Sequence, residues 1–201
     1  MFSRRTKRGL GIAVFGLVPL AVPVLASGVA QGHGWVQSPP SRQDACATGA
    51  VKDCGAIQYE PQSVEGPKGF PQAGPADGHI CSAGHEPFQA LDDPSKQWPA
   101  TKVQAGQDFQ FTWKITAAHS TTSFRYFVTK DGYDPSKPLT RDQLEPAPFL
   151  QDDLGGKQPP STYTTSGKLP AGKSGRHLVL GVWDIADTGN AFYACSDVDF
   201  G

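Results

Sequence analysis

The clearest pattern in the chain is a strict alternation of apolar and polar side chains from Phe109 to Ile115. Phe124, Tyr126 and Val128 repeat the alternation a few residues later. A period of two places one face of a β-strand against a core and leaves the other face polar. The pattern therefore predicts two half-buried strands, over 109–115 and 124–128.

Two more strands are predicted near the C-terminus. Residues 177–185 (HLVLGVWDI) are apolar at successive positions, which is typical of a central strand with both faces buried. Residues 192–200 (FYACSDVDF) alternate again. Between Gln37 and Gln104 the periodicity is poor, so we expect a long loop region with one or two short helical turns. A loop of that length inside a compact domain is typically functional.

Composition agrees with an all-β fold. The 23 Gly and 18 Pro are about a fifth of the 201 residues, and both residue types weaken helix interiors, which argues against a helix bundle. The formal net charge of −1 excludes an electrostatic nucleic-acid binder. We predict an immunoglobulin- or fibronectin III-like antiparallel β-sandwich with a large loop and short-helix insertion, and no second domain.

The N-terminus has the layout of a signal peptide. A basic head precedes an apolar stretch over 10–26, and Ala30-Gln31-Gly32 has the small-x-small form of a cleavage site. Two prolines interrupt the apolar stretch, which disfavours a transmembrane anchor, although cleavage after Gly28 is also allowed by the pattern. We expect residues 1–32 to be removed and 33–201 to form a single secreted, extracellular domain without membrane association.

The four cysteines, at positions 46, 54, 81 and 195, predict disulfides in an exported chain, with three connectivities open. Cys46 and Cys54 bracket a short loop, which favours a local bridge between them. By elimination Cys81 would then pair with Cys195. A metal site built from Cys81 with His79 and His85 is the alternative, but its spacing is loose and the compartment oxidising.

Cleavage after Gly32 would make His33 the first residue of the mature protein. An N-terminal histidine offers two nitrogens, its α-amine and ring Nδ1, to one metal ion. A second imidazole would complete a three-nitrogen set that suits copper. Because the α-amine must lose a proton first, metal binding should weaken as the pH falls. In the uncut precursor the same nitrogen is an amide and cannot chelate.

Several separated motifs carry a family resemblance. They are HGWV at 33–36, YEPQSVEG at 59–66, KGFP at 68–71, PADG at 75–78, TWK at 112–114, TAAH at 116–119, VWDIADT at 182–188 and NAFY at 190–193. In this order they resemble bacterial lytic polysaccharide monooxygenases of auxiliary-activity family ten, in the chitin-active branch. The resemblance covers essentially all of residues 33–201.

The resemblance implies a role for each matching position. His33 and His119 would hold one copper ion per chain as a histidine brace. Phe192 would close one axial side of the metal with a ring that cannot ligate, and Ala117 would crowd the other side. Glu65 would be an outer acid that positions the oxidant or passes protons.

Around the copper, the resemblance implies a flat face that touches the polysaccharide through Tyr59, Glu60, Thr116, Asp187 and Asn190. Trp183 would be a buried ring that packs near the metal. Trp35 and Ala118 depart from the family pattern, where Tyr and Arg are common, and this bears on affinity for the surface. The other three histidines, at positions 79, 85 and 177, match no family site and are expected to be structural or surface residues.

The implied function is copper-dependent oxidative cleavage of crystalline chitin at C1 by a monomer, using O2 or H2O2 and an external electron donor. A non-catalytic chitin-binding protein and the same chemistry on cellulose stay open as alternatives. A zinc hydrolase would need three side-chain ligands and a carboxylate base, and the sequence offers only two placed histidines. No pair of carboxylates with the roles of a glycoside hydrolase is evident.

Overall fold

The computed structural model describes residues 1–2 and 32–201. The predicted signal peptide therefore lies almost entirely outside the described residues, and its cleavage stays a prediction. Within the described ranges, no helix has both the length and the apolar character that crossing a membrane requires.

The described chain is built mainly from β-strands joined by turns. The strands are β1 (His33–Ser38), β2 (Glu65–Pro67), β3 (Thr101–Lys102), β4 (Asp108–Ala117), β5 (Thr121–Val128), β6 (Leu150–Asp153), β7 (Thr162–Lys168), β8 (Arg176–Ile185) and β9 (Asn190–Asp199). The helical segments are α1 (Arg42–Ala47) and three 3-10 helices, Gly55–Gln58, Glu86–Asp92 and Arg141–Gln143.

The strands form two sheets that pack face to face. The smaller sheet has the order β1-β4-β7, and the larger has the order β2-β9-β8-β5-β6 with β3 paired in parallel to the end of β9. Phe111 and Trp113 of the small sheet pack in one core with Phe124, Val179 and Trp183 of the large sheet. The predicted all-β, immunoglobulin-like sandwich is confirmed.

The burial patterns predicted from the sequence hold for β4 and β8. Strand β4 buries Phe111, Trp113 and Ile115 on one face, and β8 is buried on both faces, as the sequence predicts. Strand β9 differs, because it is buried along nearly its whole length rather than on alternate residues. The reason is the loop region 39–100, which covers the outer face of β9 and contributes its own buried side chains.

Two disulfides fasten that loop region. Cys46–Cys54 joins α1 to the start of the first 3-10 helix, and Cys81–Cys195 joins the loop region to β9. This is the connectivity that the short-loop argument favours. It also removes the alternative metal site at Cys81, because a disulfide sulfur is not a thiolate ligand.

Candidate functional site

The pairing of β1 with β4 brings two histidines to the same end of the small sheet. The strands are antiparallel, with His33 opposite Ala117, and His119 follows two residues after Ala117. The Thr116 hydroxyl donates a hydrogen bond to the His33 carbonyl over 3.3 Å. The local sheet register therefore places the backbones of His33 and Ala117 side by side, with His119 two residues further on.

Gly32, which is bonded to the His33 nitrogen, lies close to the second histidine and to a phenyl ring. A Cβ built on Gly32 would lie 3.1 Å from His119 Cβ and 3.2 Å from Phe192 Cε2. The rings of His33 and Phe192 have centroids 6.4 Å apart. The bond between Gly32 and His33, at which the predicted cleavage would release an amine, is therefore near both His119 and Phe192.

The donor set at this point fits a copper ion only if the amine takes part. Among the described residues, no group of three or more His, Cys, Asp and Glu side chains could hold a metal. His33 and His119 alone supply two imidazoles, and the α-amine of a chain starting at His33 would supply the third nitrogen. Three nitrogens of this kind suit copper.

An aromatic stack forms the floor of the site. Phe192 on β9 is 1% exposed and stacks on Trp183 of β8, with ring centroids 4.9 Å apart. The indole Nε1–H of Trp183 donates to Thr121 Oγ1 over 2.7 Å, which fixes the ring plane. Ala117 is half-buried near the end of β4. The side of the site that faces the core is therefore apolar and holds no metal ligand.

Glu65 stands beside Phe192, because β2 pairs with β9 and these two residues are opposite each other. Its Oε1 accepts a 2.7 Å hydrogen bond from Asn190 Nδ2. Asn190 was predicted on the polysaccharide face, and the structure shows it half-buried and engaged with Glu65. Its contact in the structure is thus with the carboxylate that the sequence singled out.

Asp187 reaches His119 from the loop between β8 and β9. The His119 Nε2–H donates to Asp187 Oδ1 over 2.8 Å, and the Asp187 side chain is 60% exposed. Lys68 fastens this loop, since its Nζ donates to the carbonyls of Ile185 and Thr188 over 2.6 and 2.7 Å. Sequence reasoning gave Lys68 no role, although it lies in the KGFP motif.

Tyr59 and Glu60 lie in an exposed turn next to the start of β1. The Gly34 N–H donates to the Gln62 carbonyl over 3.1 Å, which joins this turn to β1 beside His33. Tyr59 is 82% exposed and is the only large hydrophobic side chain so exposed within residues 32–201. Thr116 is exposed as well. The surroundings of the two histidines therefore combine one bare ring with polar side chains.

Two surface cavities lie away from the histidines. One, of about 610 Å³, is lined by residues of 102–107 and 199–201, at the far end of β9. The other, of about 710 Å³, is lined by Ser38 and residues of 108–110 and 166–167. Neither cavity is lined by His33 or His119.

His85 is a second residue that the sequence left without a function. Its Nε2–H donates a short hydrogen bond to the Glu65 carbonyl. No spacing rule predicts this contact, because the two residues are 20 positions apart in a loop region without periodicity.

Comparison with known proteins agrees with the motifs. Residues 33–198 match the family described as "Lytic polysaccharide mono-oxygenase, cellulose-degrading". The GlcNAc-binding protein A of Shewanella oneidensis is 44% identical over 188 residues, which is 92% of this chain and 39% of that protein. The lytic chitin monooxygenase of Streptomyces ambofaciens is 39% identical over 199 residues, 99% of this chain and 98% of that protein. The chain thus spans about two fifths of the length of the GlcNAc-binding protein A relatives that it matches.

Solved structures of lytic polysaccharide monooxygenases also superpose on this chain. An AA10 lytic polysaccharide monooxygenase from Streptomyces lividans superposes with a TM-score of 0.82 at 56% identity, covering 84% of this chain and 100% of that one. A CBM33 protein of Bacillus amyloliquefaciens, in complex with Cu(I) after photoreduction, superposes with a TM-score of 0.76 at 38% identity, covering 83% of this chain and 99% of that one. The chain belongs to the lytic polysaccharide monooxygenases of auxiliary-activity family ten.

Proposed function

We propose that the mature chain is a secreted, monomeric, copper-dependent monooxygenase that cleaves crystalline chitin by oxidising C1. The observation that carries this proposal is that the Gly32–His33 bond lies beside His119 and the buried Phe192 ring, at one end of the small sheet. Two imidazoles and a terminal amine form a nitrogen set that suits copper, and both histidines are partly exposed to solvent.

His33 and His119 would hold the single copper ion, His33 through both its α-amine and its ring. When bound, copper supplies the one-electron chemistry by which O2 or H2O2 is activated after reduction by an external donor. Hydroxylation of C1 breaks a C–H bond, and with O2 the donor supplies two electrons while the second oxygen atom leaves as water. The assignment to C1 rests on the family resemblance at Ala117 and Phe192.

The protein side chains have separate tasks in this proposal. Phe192 keeps water and further ligands off the core-facing side of the site, and Ala117 restricts the opposite side. Glu65 is a half-buried carboxyl whose Oε1 is oriented by Asn190, so it can hold or pass a proton at one defined place. This placement matters because a proton relay needs hydrogen-bond reach.

The face around the site fits an extended solid rather than a single chain in a cleft. Tyr59 can stack on a sugar ring, and Glu60, Thr116 and Asp187 can hydrogen-bond to hydroxyl and acetamido groups. The name of the Streptomyces ambofaciens relative supports chitin, whose repeating unit is GlcNAc. The family description names cellulose, so cellulose is the second candidate substrate.

The test is product analysis with β-chitin, ascorbate and O2, run beside cellulose. The proposal predicts chito-oligosaccharides that end in an aldonic acid, and none when ascorbate is left out. Native-ended sugars alone would indicate a hydrolase. Binding to chitin without any release of products would indicate a non-catalytic chitin-binding protein, and oxidised cello-oligosaccharides alone would move the substrate to cellulose.

A further inference from the structure

His85 lies at a well-fixed place in the loop region. It immediately precedes the 3-10 helix Glu86–Asp92, its N–H donates to the Ser82 carbonyl over 3.1 Å, and its carbonyl accepts from Phe88 over 3.0 Å. Its imidazole packs on the Phe88 ring, with centroids 5.5 Å apart. The backbone and the imidazole of His85 are therefore both held in place, so the direction of its Nε2–H is fixed.

The Nε2–H of His85 points to strand β2, at the edge of the strand that is not paired with β9. Strand β2 is the edge of the large sheet, and the Tyr193 N–H donates to the Val64 carbonyl over 3.0 Å. This bond makes Glu65 and Phe192 a non-hydrogen-bonded pair, in which the Glu65 carbonyl faces away from β9. The His85 Nε2–H donates to that carbonyl. The imidazole thus takes the place that a further strand would occupy.

The backbone of the loop at Ala83 also packs closely against β2 at Gly66, the residue after Glu65. A Cβ built on Gly66 would lie 2.9 Å from the Ala83 carbonyl oxygen, so the segment 83–85 runs directly along the strand. On the other side of Glu65, Asn190 holds the carboxylate. Glu65 is therefore fixed at its backbone by His85 and at its side chain by Asn190.

We propose that His85 is a positioning residue for the Glu65 carboxyl, an assignment that rests on the proposed function of Glu65. The imidazole pins an edge strand of only three residues at the residue that carries the acid. Without this bond the strand end can shift, and the carboxyl shifts with it. Small displacements of a proton-handling group are costly, because its hydrogen bonds are short-ranged.

The chain offers a direct probe of this positioning, since Asn190 is its only asparagine. Selective ¹⁵N-asparagine labelling of the metal-free protein gives one side-chain amide pair, which reports on the bond from Asn190 Nδ2 to Glu65. Replacing His85 by Ala should move these signals toward their positions in a Glu65→Ala variant. His85→Gln, whose amide can donate from a similar place, should keep them near the wild-type positions.

Two further variants keep the spectroscopic test decisive. His85→Met removes the donor but still packs on Phe88, so it should behave as His85→Ala even if the alanine variant folds poorly. His79→Ala, at another exposed histidine of the same loop region, should leave the Asn190 signals unchanged. Asn190 signals that stay at wild-type positions in His85→Met would overturn the proposal.

Kinetics with copper and β-chitin give the second readout. His85→Met should lower the maximal rate of chitin oxidation about tenfold, as losing an outer partner of a metal site does, without changing copper affinity or the half-saturating amount of chitin. In a Glu65→Gln background the same substitution should cause no further loss. A full additional loss would contradict action through Glu65. If the wild-type protein forms no oxidised products, the proposed function fails, while the Asn190 signals still decide the role of His85.

Discussion

The five histidines of this chain share one side chain and differ in what surrounds them. His33 and His119 lie at the same end of the small sheet, close to the buried Phe192 ring. The Nε2–H of His85 donates to the Glu65 carbonyl, and His79 is exposed. His177 is 2% exposed at the start of β8, with Nδ1 2.9 Å from Thr129 Oγ1. Neighbouring backbone and rings therefore decide which imidazole can bind a metal.

Replacing His119 by Ala removes one of the two imidazoles and should lower copper affinity by more than about a hundredfold, since even outer partners of a metal site are worth 10–100-fold. Isothermal titration of the mature protein with Cu(II) measures this. His79→Ala is the matched control and should bind copper as the wild type does. An affinity unchanged in His119→Ala would contradict the role given to His119.

His177 should make stability depend on pH. Burial, with help from the charge of Lys173, lowers the pKa of His177 below its ordinary value near 6.5. Below about pH 6.5 the unfolded chain therefore binds a proton that the native state resists, so stability is complete above that pH and falls as the pH drops. His177→Gln should remove this contribution, which is at most about 1.4 kcal/mol per pH unit.

Urea denaturation of wild type and His177→Gln between pH 7.5 and 5.5 measures the difference. We expect the wild-type unfolding free energy to fall more steeply than that of the variant. Parallel slopes for the two proteins would show that His177 titrates alike in the folded and unfolded chains.

At the scale of elements, the site depends on strand ends and one short hairpin loop. The start of β1 and the end of β4 determine where His33 and His119 lie, and the start of β9 carries Asn190 and Phe192. The loop 186–189 carries Asp187, and Lys68, which directly follows β2, donates to the Ile185 and Thr188 carbonyls beside it. Each contributing element is short or terminal at this point, so its position is set by tertiary contacts.

Lys68→Met should loosen the loop 186–189 while leaving the sandwich intact, because it removes two charge-assisted hydrogen bonds to carbonyls. Amide hydrogen exchange of the loop should become faster, and binding to chitin should weaken several-fold, with copper affinity retained. Lys137→Met, at an exposed lysine of another loop, is the control. Unchanged exchange in the 186–189 loop would contradict the fastening role.

Whether an element's position depends on its own residues or on tertiary contacts also explains which elements the sequence could predict. The alternation in β4 and the apolar run of β8 identify those strands, because the buried faces of each strand require apolar residues at the corresponding positions. Strand β2 has three residues, Glu65–Pro67, and no alternation, so nothing local marks it as a strand. It exists because β9 and the His85 loop lie on either side of it.

At the scale of the whole molecule, the large sheet is covered on both faces. The small sheet covers one face, and the loop region 39–100 covers the other, held there by Cys81–Cys195. Strand periodicity and composition predicted the sandwich, and the family resemblance predicted the residues around the two histidines. The contact of Asn190 with Glu65 and the full burial of β9 were not predicted, because each depends on what a distant segment places on top of it.

The Cys81–Cys195 bridge should contribute strongly to stability. It joins residues 114 positions apart, and chain-entropy arguments assign a loop of that size about 4–5 kcal/mol. A Cys81→Ala/Cys195→Ala variant should show this loss in guanidinium denaturation, whereas Cys46→Ala/Cys54→Ala, which opens a loop of 8 positions, should lose less. Equal losses in the two variants would contradict the entropic account.

The central claim concerns one nitrogen, the amine that His33 gains when the preceding residue is removed. Cu(II) titration of two otherwise identical proteins tests it, one starting at His33 and one retaining Gly32 as a single extra residue. We predict one tightly bound ion per chain in the first protein and a loss of that site in the second, since Gly32 turns the amine into an amide. Equal affinity in both proteins would contradict the three-nitrogen site, and with it the proposed oxidative function.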